Sequence, residues 1–245
     1  MEIITSVTNQ LIKDINLLRQ KKRRIEKQEF ILEGKHLVEE AYKNNVLLVV
    51  LSTDKTYLEN YKNVRTVQVS DTIIEKLSST KTPQSVIGVA KMQENNLIKS
   101  DRYVVLDGVN DPGNLGTIIR TSLAFGINNL ILSNNTVDVY NEKVIRATQG
   151  AIFKANIYYT DLENIYKTFK EEEIKIIVTS LEAKQTLNNL AKPNKFAVVV
   201  GNEANGISEV SKRYADELVI IPIQNNIESL NVAIATSIVL YSLTN

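Results

Sequence analysis

From residue 97 onward the chain carries six short and almost wholly apolar segments, at 102–107 (RYVVLD), 129–133, 155–159, 174–180 (IKIIVTS), 196–200 (FAVVV) and 217–221 (ELVII). Between them, helical spacing predicts helices at about 115–125, 141–149, 161–171 and 230–243. Strands that read as continuous apolar runs are buried on both faces, and alternation with helices makes a parallel sheet covered by those helices. The predicted class is therefore α/β. Such sheets take ligands in the crevice beyond the carboxyl ends of their strands, which directs attention to the loops that follow each strand.

Ahead of this sheet the pattern is looser. Residues 9–22 place Leu11, Ile15 and Leu18 on one helical face behind Asn9 as N-cap. Helices follow near 35–44, 54–62 and 71–79, with strands at 46–51, 64–69 and 85–92. The polar stretch QENNLIKSD (93–101) reads as a linker. Two domains are expected, 1–96 and 97–245.

The residue inventory removes several chemistries. There are no cysteines and one histidine, His36, so thiolate nucleophiles, disulfides, Cys-zinc and multi-His metal sites are excluded and no metal is expected. No apolar run approaches the roughly 20 residues of a membrane span, and MEIITSVTNQ lacks the layout of a signal peptide, so a cytoplasmic protein with no membrane partner is expected. Net charge is only +1. Its distribution is uneven, with 15 Lys and Arg against 12 Asp and Glu in residues 1–96, and 14 against 16 thereafter. Within Lys13–Lys27, seven basic residues, Lys21, Lys22, Arg23 and Arg24 among them, face only Asp14 and Glu26. That density suits contact with phosphates, and equally a solvated helix end.

Three strand-end loops carry the chemistry. In 106–127, a turn of Asp111, Pro112 and Gly113 precedes Asn114, placed to cap a helix that displays Arg120. In 198–208, a buried strand runs into Gly201, able to let backbone approach a ligand, then Glu203 and Gly206. The carboxylate of Glu203 reads either as functional or as an N-cap for the following helix. In 219–241, a strand meets Pro222 and enters a helix with Ser229, Leu230 and Asn231 at its mouth, too apolar for anything but a core or a subunit interface.

Together these loops resemble the SpoU/TrmH branch of the SPOUT RNA methyltransferases. DPGNLGTIIRT (111–121) is similar to the family's first motif, GNEANG (201–206) to its second and IPIQNNIESLNV (221–232) to its third. FILEG (30–34), after the basic stretch, resembles a motif of the family's N-terminal substrate-binding domain. The resemblance implies a ribosomal-protein-like α/β RNA-binding domain followed by a trefoil-knotted α/β domain with a mostly parallel sheet. It also implies a homodimer whose active site is completed across the interface, with S-adenosylmethionine as methyl donor and a ribose 2′-hydroxyl as acceptor.

Carried over by motif, Asn114, Arg120, Glu203, Ser229 and Asn231 are the expected catalytic residues. Gly201, Ile221 and Leu230, with Thr179, Ser180 and Leu181, are expected at the cofactor, and Lys21, Lys22, Arg23 and Arg24 at RNA. Arg120 would orient the 2′-hydroxyl, and Glu203 would hold Arg120 or the loop geometry. Asn225 stands where the family has Gly, and Asn tolerates the left-handed backbone such a position demands. Ala233 stands where a second Ser is common. Ribosomal RNA is the expected substrate. The alternatives are a tRNA or antibiotic-resistance rRNA methyltransferase and, from another class, a non-catalytic RNA-binding or ribosome assembly factor.

Overall fold

Asn9 does cap the first helix, its Oδ1 accepting the N–H of Leu11 at 2.9 Å. The structure, a computed structural model, describes residues 2–94, 96–225 and 227–245. It divides into two units, Met1–Glu94 with Asp138–Phe153, and Asn95–Val137 with Lys154–Asn245.

Unit 1 runs through β1 (Glu2–Ile4), α1 (Gln10–Leu17), α2 (Lys21–Lys27), β2 (Glu29–Glu33), α3 (Lys35–Lys43), β3 (Leu47–Ser52), α4 (Lys55–Leu58), β4 (Arg65–Val69), α5 (Asp71–Leu77) and β5 (Val86–Lys91). Its mixed sheet has the order β1-β4-β3-β5-β2, parallel from β1 to β3 and antiparallel across β5 to β2. The buried stripe of α1 continues as Ile12, Ile15 and Leu18, while Leu11, expected inside, packs only at its edge. The basic run is a separate short helix, α2, which ends because Gln28 takes the left-handed backbone at φ 56°.

Unit 2 opens with β6 (Arg102–Asp107), α6 (Pro112–Ala124) and β7 (Asn129–Ser133). The chain then contributes Asp138–Phe153, including α7 (Glu142–Thr148), to unit 1. This excursion departs from the two continuous domains expected. Aromatic packing holds it: the ring of Tyr140 lies 4.8 Å from that of Phe30, and Phe153 stacks on the same ring at 6.3 Å. Contacts between residues more than a hundred positions apart leave no local trace in sequence.

Unit 2 resumes with β8 (Asn156–Thr160), α8 (Leu162–Glu171), β9 (Lys175–Thr179), β10 (Gln185–Thr186), β11 (Phe196–Gly201), α9 (Glu209–Tyr214), β12 (Glu217–Ile220) and α10 (Val232–Thr244). All six expected strands are present. With the two-residue β10 they form a seven-stranded sheet, β10-β12-β9-β11-β6-β7-β8, parallel at every pairing. Val104, Val105, Ile176, Ile177, Val198 and Val199 in its central strands are fully buried, as double-sided coverage requires. From β6 the chain steps outward to β8, then crosses to the other side of β6 for β9, β11 and β12, so the strand order reverses beside β6. α10 returns to pack on α6 and β11. Among the described residues no helix is long and apolar enough to cross a membrane.

Candidate active site

The loops after β6, β11 and β12 open at that reversal. Helix α6 begins earlier than its spacing suggests, because Asp111 is its N-cap, accepting the N–H of Asn114 at 2.8 Å, with Pro112 in the first turn. Asn114 is therefore not the cap. Its amide reaches across instead, donating from Nδ2 to Glu203 Oε1 at 2.9 Å and accepting from Asn231 Nδ2 at 2.8 Å. Asn231 caps α10, its Oδ1 taking the N–H groups of Ala233 (2.9 Å) and Ile234 (3.3 Å). Glu203 also accepts the N–H groups of Asn110 and Asp111, both at 3.2 Å. One relay thus ties the first, second and third motifs together.

Of the two readings of Glu203, the N-cap for the following helix does not hold. The cap of α9 is Ser208, whose hydroxyl accepts from Ser211 N. Glu203 shapes the loop ahead of α6, and no contact joins it to Arg120 among the described residues. Partial burial works to raise its pKa. Hydrogen bonds from Asn114, from its own backbone and from Asn110 and Asp111 outweigh this and hold the carboxyl below its ordinary value. A carboxylate so well solvated by the protein is a poor base.

Gly201 serves the chain itself. A Cβ there would stand 2.4 Å from the carbonyl of Gly206, because the loop folds back with Asn202 N–H to Gly206 O (2.7 Å) and Gly206 N–H to Asn202 O (2.9 Å). Asn202, which the motif reading passed over, fixes this loop. Its Oδ1 accepts the N–H groups of Ala204 and Asn205, and its Nδ2 donates to Gly108 O at 2.7 Å. The local signal was available, since Asn readily binds backbone groups a few residues ahead. Buried Asp107, also missed, anchors α9 by accepting from Ser208 N and Ser211 Oγ.

Beside the relay lies a cleft of about 500 Å³. Thr179, Ser180, Leu181, Gly201, Ile221 and Leu230, all six residues expected at the cofactor, line it together with Glu203, Ser229 and Asn231. Its volume suits a nucleoside-sized ligand. Backbone from three loops and the side chains of Leu181, Ile221, Ile223 and Leu230 make walls suited to an adenine ring. Thr179 is committed inward, its hydroxyl donating to Val199 O at 3.2 Å. Asn225 does adopt the left-handed backbone, at φ 61°, so the third loop keeps the turn that Gly would make. The residues present fit S-adenosylmethionine.

Arg120 stands apart. It is exposed on α6, outside the cleft lining, and has no hydrogen-bond or ion-pair partner among the described residues. On α10, Ile234, Ile238 and Tyr241 form an exposed stripe, at 53%, 38% and 62% accessibility, one helical face wide. Tyr241 meets the ring of Phe125 at the end of α6 edge-on, at 6.2 Å.

In unit 1, Lys21, Lys22 and Arg23 are exposed, Arg23 paired with Glu26 at 2.7 Å. Arg24 does not belong with them. It is 6% exposed, donating to the carbonyls of Leu18 (2.9 Å) and Arg19 (2.8 Å) and pairing with Asp138, so no phosphate can reach it. His36 sits on the first turn of α3 with its Nε2 3.1 Å from Gln149 O. No cluster of three or more His, Cys, Asp or Glu able to hold a metal occurs among the described residues.

Known proteins resemble this chain along nearly its whole length. Residues 101–241 match the SpoU rRNA Methylase family, and residues 9–88 the MRM3-like substrate binding domain. The chain is 33% identical to the 23S rRNA (guanosine(2553)-2′-O)-methyltransferase RlmP of Bacillus subtilis over 99% of both chains. It superposes on an AdoMet-bound rRNA methyltransferase from Sinorhizobium meliloti with a TM-score of 0.87, 30% identity and coverage of 99% and 97%. A putative RNA methyltransferase of the TrmH family from Porphyromonas gingivalis gives a TM-score of 0.89 at 28% identity, covering 97% and 98%. With these neighbours the fold is the α/β knot preceded by an N-terminal α/β unit. The chain belongs to the SpoU rRNA methylase family of S-adenosylmethionine-dependent RNA 2′-O-methyltransferases.

Proposed function

We propose that this protein methylates a ribose 2′-hydroxyl of 23S ribosomal RNA in the cytoplasm, and that the guanosine named for the Bacillus subtilis relative is the first nucleotide to test. The observation that carries the reading is the Glu203–Asn114–Asn231 relay at the lip of the cleft. It spends hydrogen bonds on aligning three loops, and alignment is what methyl transfer to a hydroxyl needs most. The cofactor supplies a methyl group on a sulfonium, already a good electrophile. Gly201, Ile221, Leu230 and the 179–181 loop hold it through backbone groups and apolar walls. Ser229, exposed at the cleft with no partner among the described residues, is free to meet the ribose. Asn114 and Asn231 position that meeting point, and Glu203 keeps both amides oriented.

Arg120 orients the 2′-hydroxyl and an adjacent RNA phosphate and stabilises the developing alkoxide, the proton leaving to phosphate or water. It does not act as a base, since a guanidinium does not give up its proton in proteins. Because Arg120 lies outside its own chain's cleft, the reading includes a homodimer in which it serves the partner's cleft. The exposed apolar stripe of Ile234, Ile238 and Tyr241 supports an interface along α10. Unit 1 grips RNA with Lys21, Lys22 and Arg23.

Calorimetry with S-adenosylhomocysteine separates this from a non-catalytic RNA-binding factor, which would bind none. Mapping 2′-O-methyl positions in total RNA from cells with and without the gene then tests the substrate. A lost methyl in 23S rRNA is expected, and a lost methyl in tRNA alone would overturn the substrate.

A further inference from the structure

Glu33, in the FILEG stretch, is a carboxylate whose side chain is only 7% exposed. It accepts from Ser78 Oγ, from Ser79 N–H and Oγ (3.1 Å each) and from Thr80 Oγ1. Burying a carboxylate costs several kcal/mol unless protein donors replace its water. Four donors from three consecutive residues meet that cost, and in doing so they fix the shape of the turn after α5. Burial works to raise the pKa of Glu33, but the hydrogen bonds from Ser78, Thr80 and Ser79 hold it below its ordinary value, so the pin is ionised at neutral pH.

Other groups brace the same turn. Arg146 of the excursion donates to Ser79 Oγ at 2.6 Å, and Arg19 donates to the carbonyl of Ser78. Gly34 takes φ +99°, a backbone that L side chains rarely adopt, with the side-chain amide of Gln84 packed against it at this corner. What the turn turns outward is Lys81 and Thr82, both exposed, and Lys81 has no partner among the described residues. Arg19 joins the turn to the segment carrying Lys21 and Lys22, which also lack partners among the described residues.

Two carboxylates offset the two arginines at this corner, Glu33 with Arg146 at 3.9 Å and Glu142 with Arg19 at 3.8 Å, which leaves Lys81 as the uncompensated charge on a rigid turn, a cation suited to meet a phosphate. We propose that the 78–82 turn is a second RNA-backbone contact of unit 1, with Lys81 touching phosphate and Glu33 as its positioning residue. This rests on the RNA reading above and extends the grip beyond the basic stretch. The excursion then has a function: it supplies Arg146 to the turn from a distant part of the chain.

The test uses the full chain and 23S rRNA purified from cells lacking the gene, with binding measured across a potassium chloride series. Lys81→Ala should weaken binding several-fold and reduce the slope of log affinity against log salt by about 0.7 to 0.9, the release of one counterion, with S-adenosylhomocysteine binding unchanged. Glu33→Gln should lose the same slope, and adding Lys81→Ala to it should remove no more. Wild-type affinity and slope in Lys81→Ala would overturn the proposal. Full additivity of the two substitutions, or lost affinity with an unaltered slope in Glu33→Gln, would reduce Glu33 to a structural residue and overturn its positioning role. A wild-type protein that binds no RNA would overturn the RNA reading itself, a different failure.

Discussion

Arg24 of unit 1 and Arg120 of unit 2 use the same side chain in opposite ways. Arg24 spends its guanidinium on two carbonyls and Asp138 inside the fold. Arg120 is exposed and without a partner among the described residues. A guanidinium buried in such contacts can hold a fold but cannot meet a substrate, and one left exposed contributes little to stability. Glu33 and Glu203 repeat the contrast among carboxylates. Both are held ionised by protein donors, Glu33 by three hydroxyls and one N–H at the end of β2, and Glu203 by backbone N–H groups and an amide at the cleft. Position relative to solvent, more than residue type, decides which job a charge can do.

The largest effect should come from the committed arginine. Arg24→Ala strands Asp138 and should cost about 3–5 kcal/mol in urea unfolding. A loss under about 1 kcal/mol would erase the distinction between the two arginines. Arg120→Ala should leave the urea midpoint in place and lower kcat by about 10²- to 10³-fold in methyl transfer to RNA. Co-expressing Arg120→Ala with Ser229→Ala subunits should restore activity that neither variant shows alone, because one cleft of the mixed dimer has both groups intact. No recovery would place Arg120 in its own chain's site.

Acid should reveal the two carboxylates next. Their folded pKa values lie below the ordinary 4.5, so their stabilisation is fully present above that value and is lost as pH falls through the lower folded one. Glu33→Gln should therefore flatten the fall in urea midpoint between pH 5 and pH 3 more than Glu203→Gln, whose residue is exposed. Equal flattening would remove the contrast in depth. The smallest change is expected at Asn225. Asn225→Ala should cost about 1 kcal/mol through its left-handed backbone, and Asn225→Gly should stay within about 0.5 kcal/mol.

Strands were legible because a buried parallel strand announces itself as an apolar run, and FAVVV or IKIIVTS needs no partner to be read. Helix starts were less so. Asn114 and Asp111 are both good caps, and only the turn through Pro112 decides between them. The cleft was legible as three motifs, and all six residues expected at the cofactor do line it. Hidden were the bonds among those motifs, Asn231 to Asn114 to Glu203, since an amide's partner lies in another loop. Arg24 failed as an expected RNA contact for the same reason: the basic run is visible, but Asp138 sits 114 residues away.

By itself the sequence determined the α/β class, the order of strands along the chain and the chemistry available without cysteine, because these depend on period, run length and residue type. Tertiary structure alone decided which charges are free and which are committed, and that Asp138–Phe153 completes the first unit. Commitment is a matter of desolvation and of donors supplied from distant positions, and neither is encoded in any local stretch of residues.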